Sequence, residues 1–104
     1  MKEFKTKQSL KIVEAFESVL IALVLKSKDD AKTDDDKLML AIFKEIADKL
    51  GKKLNTIQDS YTLKFTASQA FAIRILYIDY IGDPSTHFGN FLFRLSNQID
   101  QYYQ

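Results

Sequence analysis

The chain has no cysteine and no tryptophan, and only one histidine, one proline and three glycines in 104 residues. Without cysteine there is no disulfide framework, no thiolate nucleophile and no cysteine-ligated zinc. One histidine, His87, excludes most histidine-based metal clusters and any Cys–His pair. Three scattered glycines leave no Gly-rich loop to cradle a phosphate. Long hydrophobic runs are also missing. Val19–Leu25 is the notable apolar stretch, too short to cross a bilayer, and Glu14 and Glu17 interrupt its approach. It leaves through Lys26-Ser27-Lys28 with no small-residue cleavage site, which argues against a signal peptide and for a buried helix in a cytoplasmic protein.

Nor is there an excess of charge. Fifteen basic and fourteen acidic residues leave a formal +1, with no overall footprint for nucleic acid. The charges are nevertheless segregated. Residues 1–28 and 37–53 are rich in lysine, whereas 29–36 holds five aspartates and one lysine. The cations are nearly all lysine, which favours solvated point charges over the bidentate forks of arginine. What is present is 46% hydrophobic residues against 28% charged, the composition of one ordinary globular domain.

Helical periodicity dominates. Ile12, Phe16, Val19, Leu20 and Leu23 share one face of a helix expected over about 8–28, with Ile21 and Leu25 on its other side. Asp29–Asp36 is a linker ending in Thr33-Asp34-Asp35-Asp36, a strong helix start, because side-chain oxygens cap free N–H groups and carboxylates favour the positive end of the dipole. Met39, Ile42, Phe43, Ile46 and Leu50 stripe a second helix over 34–50, with Gly51 expected as its left-handed cap. Thr66-Ala-Ser-Gln69 is a capping-box pattern opening a third helix over 66–81, apolar nearly all round and ending before Gly82. Asp83-Pro84 suggests a fourth helix over 84–103, striped by Phe88, Phe91, Leu92, Leu95 and Ile99. The expected fold is therefore all-α, a compact four-helix bundle. Residues 53–65 are ambiguous. Leu54, Ile57 and Tyr61 suit a short extra helix in 53–61, whereas Tyr61, Leu63 and Phe65 alternate as in a strand. A lone strand has no partner in such a bundle, so a short helix and an extended connector are expected.

Three motifs bear on chemistry. Counted as a calcium loop from Asp34, the chain places Glu45 twelfth, but Leu38 and Met39 take the fifth and sixth positions, which need a ligand and a glycine. His87 has no Ser–His–Asp spacing around it, and no catalytic residue is assigned. Glu45-Ile-Ala-Asp-Lys-Leu-Gly51, followed by Thr56-Ile57, resembles the helix-turn-helix signature of bacterial regulators. The resemblance covers some thirteen residues and implies a reading helix over 55–61, with Asn55 and Gln58 facing bases and Lys49, Lys52 and Lys53 facing phosphates. Lys52 replaces the usual inward apolar residue, and Asp59 stands on the would-be reading helix.

Several apolar residues remain for which a monomer has no use. Phe93 falls opposite the stripe of its helix, among Asn97 and Asp100; Ile21 and Leu25 are likewise off-face, and Tyr102-Tyr103 near the end suits a partner contact. Arg74 and Asp79 are the charges of the central helix and need a partner or the surface. With Tyr77 and Tyr80 they would revive an enzyme reading if gathered in a pocket. The expected function is protein–protein contact, through self-association or another protein, by way of Phe93, Ile21, Leu25, Tyr102 and Tyr103. DNA binding through 45–61 is the alternative. No cofactor, metal or small-molecule substrate is expected.

Overall fold

The computed structural model describes residues 2–104. Its chain order is β1 (Phe4–Ser9), α1 (Leu10–Ser27), α2 (Asp34–Leu54), β2 (Ser60–Phe65), α3 (Ala67–Ile75), a π-helical segment (Leu76–Ile81) and α4 (His87–Tyr102). The four α-helices together with the π-helical segment account for 68% and a two-stranded antiparallel sheet for 12%. The all-α expectation is thus corrected. The alternation at Tyr61, Leu63 and Phe65 is a real strand, each of these side chains buried while Thr62 and Lys64 face out. Its partner is β1 at the head of the chain. Leu10 N–H donates to the Asp59 carbonyl at 3.1 Å, beside the last residues of the pairing.

The short helix expected in 53–61 is absent for a related reason. α2 does not stop at Leu50 but continues to Leu54, and Asn55, in right-handed helical geometry, ends it. Gly51 lies inside that helix; the described glycine with positive φ is Gly82, at 62°. Gly51 serves a different purpose, since a Cβ there would stand 2.7 Å from Glu17 Oε2 on α1. Beyond α2, Tyr61 ties the turn: its hydroxyl donates to the Thr56 carbonyl at 2.7 Å and accepts from Gln58 N–H at 3.1 Å.

The caps follow simple chemistry. Thr33 Oγ1 accepts from Asp36 N–H, with three aspartates in the first turn of α2. Thr66 and Gln69 form the full reciprocal box, Gln69 being buried. Gly82 ends the π-helical segment, its N–H reaching the Tyr77 carbonyl at 2.7 Å. α4 starts later than Pro84 suggests. Asp83 instead accepts from the Ser85 hydroxyl and N–H, and Thr86 caps α4 through Gly89 N–H at 2.9 Å.

The chain divides into two compact units, Lys5–Leu63 and Lys64–Gln104 with the residues up to Phe4. In the first, α1 packs on α2 as an antiparallel hairpin, burying Val13, Phe16 and Leu20 of one helix and Phe43, Ile46, Ala47 and Leu50 of the other. These stripes recur at three and four residues, as helical burial requires. In the second, α3 packs on α4, with Ile73, Leu76, Leu92, Leu95 and Ile99 fully buried. Within that unit the Tyr102 hydroxyl donates to the Glu3 carbonyl at 2.7 Å and Tyr103 to the Lys2 carbonyl at 2.6 Å.

Candidate interaction surfaces

Ile21 and Leu25 project from α1 one turn apart and are 44% and 65% exposed. With Val24 they form one wall of a groove of about 170 Å³ whose other wall is Lys44, Ala47 and Asp48 of α2. A second recess of about 360 Å³ adjoins it, sharing Ile21, Ala47 and Asp48 and extending to Glu17, Gly51, Lys52 and Asn55. Because the hairpin is antiparallel, Glu17 and Lys52 stand together at one end and Leu25 and Lys44 at the other. The floor is low because Ala47 and Gly51 are small. Sequence reasoning singled out Ile21 and Leu25 but missed the α2 wall; the small pair Ala47 and Gly51, four residues apart, was the available signal.

The remaining expected contact residues lie in the other unit and are partly engaged. Phe93 is 41% exposed, its ring 5.7 Å from that of Tyr77. Tyr102 packs edge-on against Phe4, and Tyr103 lies 5.1 Å from Phe71, so both rings brace the N-terminal residues as well as facing solvent. The Tyr103 hydroxyl titrates above its ordinary value, because burial disfavours the phenolate and the negative charge of Tyr102 and Glu3 adds to the effect. Leu38, Ile57, Ile78 and Tyr80 are further exposed apolar or aromatic residues.

The reading helix expected over 55–61 is not formed. Glu45 through Gly51 belong to one unbroken helix, and the segment after Leu54 is a turn leading into β2. Asn55 and Gln58 therefore lie on no reading helix; Asn55 ends α2 and Gln58 sits in the Tyr61-tied turn. Lys52 and Lys53 are exposed and Lys49 is half-buried on the last turns of α2.

Arg74 pairs with Asp100 at 3.3 Å, while Asp79 and Tyr80 are exposed. His87 opens α4 on the surface. Asp34, Asp35 and Asp36 are spent on the first turn of α2, and no group of three or more acidic or histidine side chains that could hold a metal occurs among the described residues. Nor, among these residues, is any helix long and apolar enough to cross a membrane. No family model, curated protein or solved structure matches the chain.

Proposed function

We propose that this protein acts by protein–protein contact and associates with itself, in the cytoplasm and without catalysis. The observation that carries the reading is the pair Ile21 and Leu25, two large aliphatic side chains left about half or more exposed beside an open groove. Burying a side chain of that size is worth roughly 1.5–3 kcal/mol, so two adjacent exposed ones favour a covering surface. Phe93, exposed over its Tyr77 contact, adds a second patch of the same character.

Light scattering across micromolar concentrations tests the proposal. The parent is expected to exceed the monomer mass, and Leu25→Asp to reduce that mass at equal helix content, with Phe93→Asp reporting on the second patch. A parent that stays monomeric throughout, with both variants indistinguishable from it, refutes self-association.

A further inference from the structure

We infer that the occupant of the α1–α2 groove is the same groove of a second copy, related by a twofold axis running along it. This inference rests on the self-association proposed above and gives it a geometry. The groove has unlike ends: Glu17, Lys52 and Asn55 line one, Val24, Leu25 and Lys44 the other, with Ile21, Ala47 and Asp48 common to both. A twofold axis across the groove would set α1 on α1 and α2 on α2 with the ends exchanged, laying each Glu17 carboxylate on the aliphatic Leu25 of its mate and each Lys52 on the like-charged Lys44, at high cost. An axis along the groove keeps like ends together. It sets α1 of each copy over α2 of the other, so that each Glu17 carboxylate meets the Lys52 ammonium of the opposite copy, twice per dimer. Ile21 then drops onto the low floor at Ala47, and Leu25 covers the aliphatic stem of Lys44. This is the self-complementary arrangement that an isologous contact demands. Glu17 suits the role. It is half-buried above Gly51, and within its own unit no hydrogen bond or ion pair under 4 Å is seen among the described residues.

Charge reversal with mixing tests the inference. Glu17→Lys alone faces Lys52 across the axis with like charge, and Lys52→Glu alone faces Glu17; an equimolar mixture of the two variants restores both opposite-charge pairs. Sedimentation velocity of the parent, each variant and the mixture is the readout. Each variant alone should weaken the dimer about tenfold or more, since two pairs per dimer turn from attractive to repulsive, and the mixture should recover the parent mass as a heterodimer. Lys52 is exposed, so Lys52→Glu carries the test alone should Glu17→Lys unfold. If the parent dimerises and Lys52→Glu still does so equally well, or if two folded, monomeric variants fail to combine, the geometry is wrong while self-association stands. A monomeric parent overturns both.

Discussion

Replacing Gly89 with alanine should destabilise the protein, although alanine is the better helix former. Gly89 is the third residue of α4, beneath the turn 83–86. A Cβ built there overlaps the Asp83 carbonyl oxygen and stands 2.7 Å from Thr86 Oγ1 and 2.9 Å from the Asp83 carbonyl carbon. The principal obstacle is backbone, so no rotamer change clears it. Either the turn lifts or the start of α4 unwinds, and in both cases the Thr86 cap bond to Gly89 N–H at 2.9 Å is lost. Losing a cap costs about 1 kcal/mol, overpacking adds about 1–3 kcal/mol, and the helix propensity of alanine returns about 1 kcal/mol. The net is a loss of about 1–3 kcal/mol, and a 2 kcal/mol loss lowers Tm by roughly 10 °C in a domain of this size. Gly51→Ala is the matched control. Its Cβ meets the movable carboxylate end of Glu17, so the propensity gain should prevail and Tm should rise or hold. Thermal and urea unfolding followed by circular dichroism decide the matter. If Gly89→Ala melts with or above the parent, the steric argument fails.

Tyr61→Phe removes both bonds that tie residues 56–58 and leaves the ring in place; a loss of about 1–2 kcal/mol is expected, with faster amide exchange in that turn as the specific signature. Asp100→Asn breaks the pair with Arg74, whose side chains are 33% and 49% exposed, so urea unfolding should register less than about 1 kcal/mol. The raised Tyr103 titration favours the protonated phenol in the folded state, so its contribution is fully present below the ordinary value of 10.0 and is lost as pH rises through the higher folded value. Proteolysis near residues 2–4 should therefore accelerate in strongly alkaline buffer, and Tyr103→Phe should show that faster cleavage already at neutral pH.

Much of the helical framework was legible because its signals are local. The Thr33 and Thr66 caps, the Phe43–Ile46–Leu50 stripe and the left-handed Gly82 each depend on residues within one or two turns. β2 was visible as the alternation Tyr61, Leu63, Phe65, yet it was set aside because strand pairing is not local and its partner lies at the other end of the first unit. Gly51 misled for a different reason. A glycine after Leu50 reads equally as a cap or as room for a neighbouring helix, and only the Glu17 side chain on α1 distinguishes the two. The late start of α4 turned on competition between two caps, Asp83 and Thr86, of which Asp83 was consumed by Ser85. Of the candidate contact residues, Ile21 and Leu25 were readable from their position on the helix wheel. The opposite wall, Ala47 with Lys44 and Asp48, follows from how two helices cross, which no single stripe reveals.

The two tyrosine hydroxyls at residues 102 and 103 fasten the backbone at residues 3 and 2, which brings residues 2–3 and 102–103 within a side chain's reach of each other. A polypeptide of residues 2–104 could therefore be joined head to tail by a linker of a few residues and reopened at the Ser27–Ala31 turn, giving a permuted chain with the same set of contacts.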